Sequence, residues 1–236
     1  MANPSNSSYI KAIKKLLDNR IDIEAFAKSQ KGLELKNSFT KIICWCKGLS
    51  YQYSTNEARI FLAGAWSEVV NILALVPLHF YRQSIISMRI ILDQILAWSY
   101  YESHPVEFNT SKNNPEYWVG KEKIYEFLRI HFWSGKIEYI KLGIWSEINR
   151  LYSELSYFIH ASSIAHMSLV ESFESYKKDD QKIDEVIRLA KKTDEAVAAF
   201  LSSIYQDAFC QFTPELQNAI LKYWNKNKIR NLGLSP

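Results

Sequence analysis

The segment from Leu78 to Glu102 leaves this chain the fewest choices. Ile85, Ile86, Met88, Ile90, Ile91, Leu92, Ile95 and Leu96 surround its axis when it is wound as a helix, so little of it can face water. Yet Arg82, Arg89 and Asp93 fall within about forty degrees of one line along that helix. A lone charge in such surroundings is prohibitive, so these three must be paired or must line a cleft. Arg89 and Asp93 stand one turn apart and can pair directly. Arg82 is left over, with His79 one turn earlier sharing its surroundings.

A second segment, Ile144 to Ala161, offers partners. Ile148, Leu151, Leu155, Phe158 and Ile159 form its apolar sector. Beside that sector runs a stripe of small hydrogen-bonding residues: Asn149, Tyr152, Ser153, Ser156, His160 and Ser163. Glu147, Arg150 and Glu154 occupy a different sector, so the stripe reads as a half-buried seam in need of partners. Two readings of the inward charges follow. In one, Arg82, Arg89 and Asp93 bond to the Ser/Tyr/His stripe and fix helix register. In the other, the same groups form a cleft with His160 as acid/base and the arginines as anion ligands, since phosphate chemistry needs both.

The rest of the chain is helical in pattern. Helices are expected over Ser8 to Asn19, Asp22 to Gln30, Leu35 to Tyr51, and from a Thr55 N-cap to Val76, where Pro77 breaks the run. His104-Pro105 closes the apolar helix, and Asn109 to Pro115 reads as an internal loop. Further helices are expected over Lys121 to Phe132, Lys182 to Phe209, and from Pro214 at a first helical position to Asn225. Tyr176 to Asp180 reads as a polar turn and Asn227 to Pro236 as a loose tail. Seven glycines and six prolines leave little material for the turns of an all-β fold. The expected architecture is an all-α multi-helix bundle in one domain over residues 1–236. Residues 1–54 pack as N-terminal helices on a core bundle of 55–226, and 227–236 trail behind.

Both ends are basic: residues 1–50 carry nine Lys/Arg against four Asp/Glu, and from Thr213 on Lys222, Lys226, Lys228 and Arg230 face Glu215 alone. That balance suits an acidic partner such as RNA, or simply a solvated helix face. Cys44, Cys46 and Cys210 lack the companions of a zinc site, so the first two read as core thiols; no metal and no cofactor is expected. With no signal-peptide pattern and Glu68, Arg82, Arg89 and Asp93 interrupting the apolar segments, the expectation is a cytoplasmic protein without a membrane span.

Two stretches, YYESHPVEF (Tyr100 to Phe108) and LYSELSYFIHASS (Leu151 to Ser163), together resemble bacterial helical families with a Y-x-x-L-S-x-F-x-H segment. These are similar to the HEPN superfamily of helical bundles in toxins, phage-defence systems and CRISPR-associated ribonucleases. The resemblance covers roughly Leu78 to Ser163. It implies a metal-independent endoribonuclease or RNA-binding protein, a homodimer, with the family histidine at His160. Arg150 stands ten residues before His160 and out of register, so the resemblance requires Arg82 or Arg89 to supply the cation from the neighbouring helix. Asp93, Asn149, Tyr152, Ser153 and Ser156 would then support the site. The alternative is a catalytically silent helical module that binds a protein encoded nearby.

Overall fold

The computed structural model describes residues 20–114, 116–134, 143–159 and 178–234, and every regular element among them is a helix. The order is α1 (Arg20–Lys28), α2 (Gln30–Asn37), α3 (Thr40–Gln52), a 3-10 turn (Glu57–Arg59), α4 (Ile60–Leu75), α5 (Tyr81–Tyr101), α6 (Pro105–Asn113) and α7 (Lys121–His131). Then come α8 (Ile144–Ser156), α9 (Asp180–Ile204), α10 (Gln206–Cys210), α11 (Pro214–Leu221) and α12 (Lys226–Asn231). The helix expected over Ser8 to Asn19 lies outside the described residues, as do Tyr176 and Lys177 of the expected polar turn.

The apolar helix α5 sits at the centre, packed against α4, α7, α8 and α9. Met88, Ile91, Leu92, Ile95 and Trp98 on it are almost wholly buried, and they join one contiguous core with Ile72, Leu151, Val197 and Phe200. A second part of that core lies under α3, where Trp45 meets Phe209 and Phe212 at ring-centroid distances of 5.8 and 5.2 Å. Gly48 makes room there: a Cβ at that position would overlap the Phe212 ring. Cys44 and Cys46 are buried free thiols, and Cys210 is an exposed one.

Several boundaries differ from the pattern-based expectation, each for a local reason. The single helix expected from Leu35 to Tyr51 is two, broken at Ser38 and Phe39. A carboxylate from α9 restarts it, because Asp194 Oδ1 accepts the Ile42 N–H at 2.8 Å and so caps the first turn of α3. Thr55 is not the cap ahead of α4. Asn56 is, its side chain accepting from the Ala58 N–H at 2.9 Å to open the 3-10 turn. The loop expected over Asn109 to Pro115 is instead occupied largely by α6, because Pro105 sits at the first helical position where its missing N–H costs nothing. The helix expected to reach Phe209 stops at Ile204, and Tyr205 turns the chain into α10. That from Pro214 ends at Leu221 rather than Asn225.

As far as Leu234 the tail is ordered, not loose. Asn225 caps α12 by accepting the Lys228 N–H at 2.8 Å, and Leu232 and Leu234 are each 1% exposed. Glu195 on α9 anchors the region: Trp224 Nε1 donates to it at 2.5 Å and Lys228 Nζ at 2.9 Å, and Lys41 pairs with the same carboxylate. The stretch Glu57–Leu75 also departs from expectation. Glu68 does not prevent it from having the length and composition of a membrane span, with mean hydropathy 1.4, and only 28% of it is buried in the fold.

Candidate functional site

The sequence-predicted residues of α5 and α8 meet along one seam. Helix α8 ends at Ser156, and the last carbonyls of any helix lack intrahelical donors. Arg82, in the first turn of α5, reaches the chain just past that end. Its Nε donates to the Phe158 carbonyl at 2.8 Å and its Nη2 to the Ile159 carbonyl at 3.2 Å. A cation at a helix C-terminus also meets the negative end of the macrodipole. Arg82 is half-buried and thereby holds the chain at the residue next to His160. His160 itself and Ser163 lie outside the described residues.

Two turns further along α5, Arg89 is 7% exposed. It forms an ion pair with Asp93 one turn on, and its Nε donates to Ser156 Oγ at 3.2 Å. Ser156 in turn donates to the Tyr152 carbonyl at 2.7 Å. The guanidinium carbon lies 3.2 Å from the centroid of the Tyr152 ring, and Lys121 Nζ lies 4.2 Å from the same centroid. Burial pulls the Arg89 guanidinium below its ordinary value, with Asp93 opposing. Burial pushes the Asp93 carboxyl up, with Arg89 and Lys121 pulling it back. The guanidinium keeps its charge, because arginine starts far above neutral pH.

The seam includes less than the stripe suggested. Tyr152 and Ser156 belong to it. Asn149 is turned partly inward, with a buried Oδ1 that accepts no hydrogen bond among the described residues. Ser153 is not in the network: it is exposed to solvent, because α8 rolls Leu151 and Leu155 rather than the serine toward the core. Ile159, placed in the apolar sector by its spacing, is likewise 37% exposed, since the helix has ended before it. His79 has a left-handed backbone (φ 65°) in the turn before α5, and its ring packs 6.1 Å from that of Tyr81. Lys121 was not anticipated; it stands at the start of α7, where sequence spacing says nothing about its distance from α8.

A cavity of about 30 Å³ opens between Asp93, Lys121, Tyr152 and Tyr101. A space of that size admits about one or two waters and no nucleobase. The solvent-facing ion pairs nearby are mutually satisfied: Glu154 holds Lys192 and Arg188, and Glu147 holds Arg150. Among the described residues no group of three His, Cys, Asp or Glu could hold a metal ion.

The other half of the resembling sequence forms a second polar cluster. Glu107 accepts from Tyr100 at 2.9 Å, from Tyr117 at 2.8 Å and from Lys123 at 3.1 Å, so it ties α5, α6 and α7 together. The His104 ring stacks on Tyr100 at 4.0 Å, and His104 Nδ1 lies 2.7 Å from the Tyr100 carbonyl. No protein-family model, curated protein or solved structure matches the chain.

Proposed function

We propose that this chain is a HEPN-like RNA-binding protein and metal-independent endoribonuclease of a toxin or phage-defence system, with His160 as its reactive group. The supporting observation is that Arg82 grips the carbonyls of Phe158 and Ile159 and so brings a cation beside the backbone that leads into His160. In the reaction, the RNA 2′-oxygen attacks its neighbouring phosphorus while the bond to the 5′-oxygen breaks. His160 takes or gives the proton at one of these oxygens, and an arginine stabilises the charge gathering on the phosphate. Arg82 is the better source of that charge, because Arg89 is committed to Asp93 and Ser156 whereas Arg82 meets no carboxylate among the described residues.

That commitment also favours a second reading. A closed Arg89–Asp93–Ser156–Tyr152 network beside a cavity too small for a base suits a catalytically silent module that binds a protein partner. The two readings separate on total-RNA integrity after induced expression of the wild type and of His160→Ala. Degradation by the wild type alone is expected. Intact RNA and unimpaired growth in both would end the nuclease reading. RNA mobility shifts with the purified protein that weaken as salt rises are expected from phosphate contacts; no shift at low salt would leave the silent module.

A further inference from the structure

Helix α4 is apolar nearly all round, yet only one side of it is covered. Leu62, Ala65, Val69 and Ile72 are buried toward the rest of the fold. On the opposite side Ile60, Ala63, Trp66, Ser67, Val70, Asn71 and Ala74 are all exposed, the three largest by 63%, 43% and 52% for Ile60, Trp66 and Val70. At 100° per residue these seven share one arc of about 140°, and none is charged. Water-facing sides of surface helices normally carry charge, whereas a helix apolar all round is normally enclosed.

The arc is self-complementary in one orientation. Turned about a two-fold axis that crosses the helix between Trp66 and Ser67, it sets Val70 of one copy against Ala63 of the other. Each Trp66 then lies over the other copy's Ser67, and Ile60 falls beside Leu73 and Ala74. At the two central contacts, Val70 on Ala63 and Trp66 on Ser67, a large side chain meets a small one, the condition for close approach of two helices. A parallel pairing would instead set Trp66 on Trp66 and Arg59 on Arg59. Charge points the same way. Arg59, exposed and in no ion pair among the described residues, comes to the last turn of the other copy's α4. In that turn Pro77 has no N–H for the Leu73 carbonyl, and the Leu78 N–H goes to Leu75 at 3.1 Å, leaving the Ala74 carbonyl without its helical donor. A guanidinium suits those carbonyls and the dipole end they belong to.

We propose that α4 is a homodimer interface, in which two copies of the chain pair antiparallel through the arc centred on Trp66 and Ser67. The pairing does not depend on the RNA reading, and none of its tests measures RNA. Sedimentation of the full chain is expected to show a dimer. Val70→Glu, which puts a charge into the contact twice, is expected to raise the dimer dissociation constant at least about tenfold while circular dichroism stays unchanged. With Cys210 replaced by serine, Ser67→Cys is expected to link two chains through a short bis-maleimide, and Tyr223→Cys, on an exposed tyrosine away from the arc, is not. A monomeric wild type overturns the proposal, as does a dimer that Val70→Glu leaves intact. A monomer that floats with phosphatidylcholine–phosphatidylglycerol vesicles overturns it too, and makes the arc a lipid-facing surface.

Discussion

At position 89 one guanidinium answers three neighbours: the Asp93 carboxylate, the Ser156 hydroxyl and the face of Tyr152. Removing it strands a half-buried carboxylate, so Arg89→Ala is expected to cost about 3–5 kcal/mol in urea unfolding, the range for breaking a buried pair from one side. Arg82 differs. It is half-buried and, among the described residues, bonds two carbonyls just past the end of α8, groups that water can also serve, so Arg82→Ala is expected to cost about 1 kcal/mol. Equal losses at the two positions would show that Arg82 is as deeply engaged as Arg89. The Arg89–Asp93 pair was legible in the sequence because it rests on spacing within a single helix. Lys121 was not, since its approach to Tyr152 depends on how α7 crosses α8. Ser153 misled for a related reason: it borders the inward stripe, and a small rotation of α8 decides which side of the border it takes.

Helix existence could be read almost everywhere from apolar spacing, but helix ends could not. Ends depend on who satisfies the terminal backbone groups, and here the partner is often remote. The break before α3 is set by Asp194, and the ordering of the chain after Tyr223 by Glu195. The residues from Lys226 on look polar and disposable when read alone, yet they carry α12 and two leucines that are each 1% exposed. Burying one such side chain is worth about 2 kcal/mol or more. Truncation after Asn225 is therefore expected to lower the melting temperature by several degrees, measured by circular dichroism, with Leu234→Ala giving a smaller shift in the same direction. A melting temperature unchanged by truncation would mean that the last helix contributes nothing to the fold.

At the scale of the molecule, buried carboxyls set how stability responds to pH. Burial lifts Asp194 to about 7, against the opposing pull of the Ile42 N–H and Lys41. The folded chain thus keeps a proton that the unfolded chain has lost, so this contribution declines as pH rises from about 4 to about 7. Asp93, also raised by burial, adds to the decline. Glu195 and Glu154 act oppositely: burial pushes each up, but Lys41, Lys228 and Trp224 around the first, and Lys192 and Arg188 around the second, leave both below their ordinary value. Their contribution is lost as pH falls below about 4.5. Stability is therefore expected to peak in mildly acid solution, and Asp194→Asn to flatten the fall between about pH 5 and about pH 7, in urea titrations across that range. Asp194 has a consequence in time as well. The helix it caps begins at Thr40, 152 residues separate the carboxylate from the amide it holds, and synthesis runs from the N-terminus. While the ribosome is still making the middle of the chain, the opening turn of that helix has no clasp. It can close only once α9 has been made.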